Sequence, residues 1–137
     1  MLVVIWMVII FKLSGDTATL SSEKSNGVII ILNFIGVDLN STFGEFTEFF
    51  VRKSAHISEY FILCLLIYRA LKIDFQEKKL YLLSLLGTFC YALTDEIHQL
   101  FVPGRSGQIK DVFIDTSGGI MFLIIIIISI KMRKRLE

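Results

Sequence analysis

Charge is scarce in this chain of 137 residues. Asp, Glu, Lys and Arg make up only 20% of it, while hydrophobic residues make up 54%. That is more apolar than a soluble globular domain. The formal net charge is +1, so no global field attracts nucleic acid, and nucleic acid is not an expected partner. The two cysteines, Cys64 and Cys90, stand alone inside apolar blocks. With no CxxC pair and no thiolate ligand set, they read as small core residues. There is no HExxH element, internal repeat, low-complexity tract or separate soluble segment. The N-terminus, MLVVIWMVIIFKLSG, lacks the basic lead and small-residue cleavage site of a signal peptide. A retained first membrane segment is expected instead. The single proline, Pro103, makes a turn with Gly104.

The long apolar blocks point to a bilayer. Four segments suit one: Met1 to Leu13, His56 to Leu71, Leu80 to Val102 and Val112 to Ile130. The first is short against the roughly 20 residues of a span, so it is either a partial span or begins further upstream. The fourth, ending in FLIIIIISIK, is rich in β-branched residues. In lipid, though, the backbone must satisfy its own hydrogen bonds, and a helix results. Between the first two spans, GVIIILNFIGVDL (27–39) is apolar but too short to cross and reads as interfacial or re-entrant. In the following stretch, Thr42 and Glu45 have capping-box spacing. There Phe43, Phe46, Phe49 and Phe50 form one apolar stripe, suited to the membrane surface. The expected fold is an all-α integral membrane protein forming a single domain over 1–137. It has about four membrane helices plus an interfacial or re-entrant helical segment between the first and second.

Orientation follows from loop lysines and arginines. Arg69, Lys72, Lys78 and Lys79 lie between spans two and three, and Lys131, Arg133, Lys134 and Arg135 follow span four. With four spans these stretches share one side, the cytoplasmic one, together with both termini. The first loop and the PGRSGQIKD loop then face outward.

Polar residues gather at that outward face. Lys53, His56 and Glu59 recur at three-residue steps on one face of span two. Asp95, His98 and Gln99 are related by i, i+3 and i+4 at the outer end of span three, with Glu96 on the adjoining face. Asp111 and Asp115 are i and i+4 at the outer start of span four, where Gly118 and Gly119 allow close packing. Arg105 lies in the turn. Charges at the centre of a span cost about 2.5–3.5 kcal/mol each, so Asp95 and Glu96 together would cost roughly 5–7 kcal/mol there. They must face a bundle interior, pair with Lys53, Arg105 or a histidine, or line a wet cavity. The plain structural readings are ion pairs locking the helices, satisfied interface histidines at His56 and His98, and a helix-capping role for Asp111.

RKSAHISEY followed by DEIHQLFVPGRSGQIKDVFIDTSGG resembles the VanZ-like family of small bacterial membrane proteins. The upstream SGDTATLSSEKS fits that family's serine-containing outer loop more loosely. The family pattern marks Lys53, His56, Glu59 and Tyr60, then Asp95, Glu96 and Gln99, then Pro103, Gly104, Arg105, Asp111 and Gly118. His98 matches a less fixed position. Asp115 stands where the family usually has asparagine, which adds a possible negative charge. The family's namesake is an accessory protein of glycopeptide resistance, associated with reduced susceptibility to teicoplanin, so the resemblance implies an envelope role.

Three functions fit these residues. In an intramembrane enzyme acting on a lipid-linked or cell-wall substrate, His56 is general base or nucleophile, oriented by Glu59. Asp95 and Glu96 then supply a second acid/base pair or hold a divalent cation. Lys53 and Arg105 grip a phosphate or carboxylate, and Tyr60, His98, Gln99, Asp111 and Asp115 complete the site. His56, Glu59, Asp95, Glu96, His98 and Asp111 offer nitrogen and oxygen ligands for such a cation. In a binding module, the same cavity holds a membrane lipid, an envelope precursor, a glycopeptide or a partner protein. A proton-coupled transporter is the third, and with so few spans it calls for an oligomer.

Overall fold

The computed structural model describes residues 1–136, which contain helices and no strand. Helix α1 (Leu2–Ser14) is followed by α2 (Ala18–Phe34) and the short α3 (Leu39–Phe43). After a 3-10 turn (Gly44–Phe46) come α4 (Thr47–Leu71), α5 (Glu77–Gln99) and α6 (Ile109–Leu136). Three stretches, Leu39–Leu71, Glu77–Gln99 and Ile109–Leu136, are each long and apolar enough to cross a membrane. Helices α1 and α2 pass the same test together but meet at 105°. This agrees with the expected class: three spans and a bent pair in place of a straight first span.

The local boundaries differ from expectation. The apolar 27–39 stretch is largely the second half of α2, so the helical segment expected between the first and second spans begins earlier, at Ala18, and forms one arm of the bent pair. Thr17 caps α2, its side chain accepting from Leu20 N, and this starts a new helix after the bend. The expected cap at Thr42 is not used. Asp38 caps α3 by accepting from the Asn40 and Ser41 amides, and Gly44, at φ +53°, ends that helix. Helix α4 begins at Thr47, so Phe49 and Phe50 belong to it.

Helices α4, α5 and α6 pack side by side, with α1 laid across α4 and α5. One apolar cluster joins all four through Ile10, Tyr60, Leu63, Ala92 and Val112. A second, around Cys64, Tyr68, Leu80, Phe122 and Leu123, fills the other end of the bundle. Several buried hydroxyls are satisfied within their own helices. Ser84, Thr88 and Thr116 donate to the carbonyls of Leu80, Ser84 and Val112, as a medium without water requires. Helix α1 is tied on by Trp6 Nε1, which donates to the Glu59 carbonyl at 2.9 Å, and by Tyr91 Oη, which donates to the Met7 carbonyl at 2.5 Å. Large apolar side chains such as Ile5, Leu86, Ile97, Phe113 and Ile124 remain exposed around the outside, the surface a bilayer would cover.

Candidate functional site

The polar residues of α4, α5 and α6 converge at one end of the bundle. Lys53 Nζ pairs with Asp111 Oδ1 at 2.6 Å and bridges α4 to α6. One helical step deeper, His56 Nδ1 faces Asp115 Oδ1 at 3.7 Å and Glu59 Oε2 at 3.9 Å. Both are beyond hydrogen-bond length. On α5, Asp95 Oδ1 accepts from Ser14 Oγ at 2.5 Å, and Gln99 Nε2 approaches Oδ2 at 3.4 Å. Glu96 Oε2 accepts from the Gln108 amide at 2.8 Å. Glu96 thereby holds the start of α6, which fixes where Asp111 and Asp115 enter.

The loop after α5 closes over this cluster. Gly104 takes φ +77°, a conformation that side chains other than glycine's adopt at a cost. The turn brings Arg105 back, so that its Nε donates to the Asp16 carbonyl at 3.1 Å, in the α1–α2 bend. Arg105 makes no ion pair among the described residues.

Two cavities adjoin here. The larger, about 240 Å³, is polar, and Arg52, Lys53, His56, Glu96, Arg105 and Asp111 are among its lining residues, with Gln99 and Asp115. The smaller, about 170 Å³, lies between α2 and α4 and is lined by Leu13, Val28, Val51 and Ala55 together with Asp16, Lys24 and Glu59. Arg52, His56 and Arg105 line both.

Most residues expected at the site therefore do meet. Asp95 lies behind the lining residues, 2% exposed and held by Ser14, and lines neither cavity itself. Tyr60 lies deeper, in the apolar cluster, with its buried hydroxyl beside Asp95. His98 is placed elsewhere. Its ring stacks on Phe11 of α1 at 3.9 Å between centroids, and it lines neither cavity.

Sequence reasoning passed over Ser14, Arg52 and the polar face of α2. Arg52 pairs with Glu48 one turn earlier and donates to Ser22 Oγ at 3.1 Å. Lys24 pairs with Asp16 at 2.5 Å. The available signals were the i, i+4 spacing of Glu48 and Arg52 and the serines of SGDTATLSSEKS.

The family model VanZ/LLP1 matches residues 1–130. The chain belongs to the VanZ/LLP1 family. The matched span includes every residue of both cavities and the bent α1–α2 pair, so the expected VanZ-like resemblance holds over nearly the whole chain. No curated protein and no solved structure matches it. Membership in the VanZ/LLP1 family agrees with helices able to cross a membrane.

Proposed function

We propose that this VanZ/LLP1 protein acts in the cell envelope and holds an anionic amphiphile across its two cavities. Candidates are a membrane lipid, a lipid-linked cell-wall precursor or a glycopeptide. The observation that carries this reading is Arg105, a half-buried guanidinium with no carboxylate partner among the described residues that lines both the polar and the apolar cavity. Burial, and then the neighbouring Arg52, pull its pKa downward, opposed by Asp16, Asp95 and Glu96. An anion in the larger cavity would offset that unfavourable burial through charge-assisted hydrogen bonds. The smaller cavity, with Leu13, Val28, Val51 and Ala55, suits an apolar tail. Native mass spectrometry of detergent-purified protein with anionic and zwitterionic lipids tests this. Arg105→Ala should weaken anionic-lipid binding about ten- to a hundredfold, as expected for a lost bond between charged groups. Equal affinity of wild type and variant would remove the basis of the reading.

A catalytic version has its own support in the unpartnered His56 Nδ1. In it, His56 is general base or nucleophile, oriented by Glu59, while Asp95 and Glu96 handle the second proton. It requires a product from envelope lipids that wild type makes and His56→Ala does not.

The proposed location is the bacterial cytoplasmic membrane, crossed several times, with both termini cytoplasmic and the cavities outward. Lys134 of α6 lies 3.7 Å from Glu77 at the start of α5, and Met1 and Arg69 line one groove. The basic stretches and the N-terminus thus share the end of the bundle away from the cavities, as the positive-inside rule would have them. In intact cells, a Ser106→Cys variant should react with a membrane-impermeant maleimide, and labelling only after lysis would reverse the orientation. A role in teicoplanin susceptibility is part of this proposal. It is read by comparing susceptibility of cells expressing wild type and Arg105→Ala at equal levels.

A further inference from the structure

We propose that His56, Asp95 and Asp115 form a binding site for a divalent transition-metal ion, of the Zn2+ or Mn2+ class. The site goes beyond the amphiphile reading and does not depend on it. One ligand atom from each of these residues, on α4, α5 and α6 respectively, lies within 4.8 Å of the other two. Two ligands bonded at about 2.1 Å in tetrahedral geometry stand about 3.4 Å apart. His56 Nδ1 and Asp115 Oδ1 are 3.7 Å apart, too far for a hydrogen bond and close to that ligand spacing.

Two of the three side chains also keep an unpartnered atom among the described residues. His56 Nδ1 and Asp115 Oδ2 are buried with no hydrogen-bond partner, and the Asp115 side chain is only 1% exposed. Burying such atoms without partners is unfavourable. Asp95 uses Oδ1 for Ser14 and keeps Oδ2, which Gln99 approaches only at 3.4 Å. The Gln99 amide is placed to orient that oxygen from outside the ligand set. Glu59 Oε2, at 3.9 Å from the same imidazole nitrogen, is a further oxygen within reach.

Local charge favours a cation. Lys53 is engaged by Asp111 and Arg52 by Glu48. Glu59, Asp95, Glu96 and Asp115 outnumber the cation left beside them, the Arg105 guanidinium. A dication among them offsets repulsion that water does not screen at this depth. One imidazole nitrogen with carboxylate oxygens suits Zn2+ or Mn2+ better than the all-oxygen sites of Ca2+. His56 and Asp115 line the 240 Å³ cavity, so an ion here can be reached from it.

The test uses full-length protein with a tag free of histidine, stripped by chelator and dialysed against Zn2+ or Mn2+ without added lipid. Elemental analysis should find about one ion per chain. His56→Gln and Asp115→Asn, which nearly keep the side-chain volumes, should each weaken binding about tenfold or more. His98→Gln, which changes the chain's other histidine, should bind like wild type. In a second measurement, the ion should raise the thermal unfolding midpoint of wild type and leave the two ligand variants unmoved. Wild type binding no more ion than His56→Gln overturns the proposal, and so does His98→Gln losing as much as Asp115→Asn. Because no lipid is present, failure here leaves the amphiphile reading untouched.

Discussion

Gly118→Leu should abolish folded protein: no monodisperse peak from detergent and no cooperative unfolding. Helices α4 and α6 form the most extensive contact of the bundle, and Gly118 is where their backbones come closest. A Cβ built there overlaps the Ile57 carbonyl oxygen and comes within 2.9 Å of the Phe61 amide nitrogen. Both are backbone atoms of α4, so no side-chain rotation relieves the clash and the whole helix must move. Gly118→Ala should cost about 3 kcal/mol, the upper end of the range for overpacked cores. Gly119 is the internal comparison. A Cβ there meets Thr88 Cγ2 at 3.1 Å and Cys64 Cβ at 3.3 Å, contacts that a shift of a few tenths of an ångström relieves. Gly119→Ala should therefore cost about 1 kcal/mol. Equal unfolding midpoints for the two alanine variants would mean that the helices are not seated as described.

Lys53→Met should be nearly as damaging and should fail for an electrostatic reason. It strands Asp111 beside Glu96 and Asp115, which line the same cavity. Removing one partner of a fully buried ion pair costs about 3–5 kcal/mol. The Lys53 and Asp111 side chains keep 18% and 19% of their exposure, so about 2–3 kcal/mol is expected here. Asp111→Asn removes the other partner and should cost less, because it also lowers the crowding of negative charge. The double variant Lys53→Met/Asp111→Asn should be more stable than Lys53→Met alone. A purely additive cycle, measured by thermal or denaturant unfolding, would show that the pair is not coupled.

The helical class, the three later spans and the convergence of Lys53, His56, Glu59, Asp95, Glu96, Gln99, Asp111 and Asp115 were legible because helix periodicity is local. Residues three or four apart share a face whatever the rest of the chain does. Departures arose where a neighbour decides. His98 is three residues after Asp95 and should share its face, yet α5 borders α1 as well as α4 and α6, and Phe11 of α1 takes the imidazole. The α1–α2 bend has no proline to announce it. It is held by the Thr17 cap and by Arg105, 89 residues away, bonding the Asp16 carbonyl. Arg52 and Lys53 are adjacent and chemically alike in sequence, but consecutive helical positions face different directions, so Arg52 pairs with Glu48 of its own helix and Lys53 crosses to Asp111 of α6. Asp38 outcompeted Thr42 as a cap because the chain turns at Gly44 before a helix begun at Thr42 could extend.

The ties between α1 and the rest of the bundle also bear on how the protein is made. Ser14 meets Asp95 across 81 residues, Tyr91 meets Met7 across 84, and Trp6 meets Glu59 across 53. While a ribosome still holds the second half, Ser14 and the α1–α2 bend are unmatched. The floor of the cavity comes into being only when α5 arrives, and its far wall only when α6 follows. A chain stopped after α4 would carry His56 and Lys53 into the bilayer without Asp111 or Asp115 to face them. Such an intermediate exposes polar groups to lipid, which makes it a natural substrate for membrane quality control.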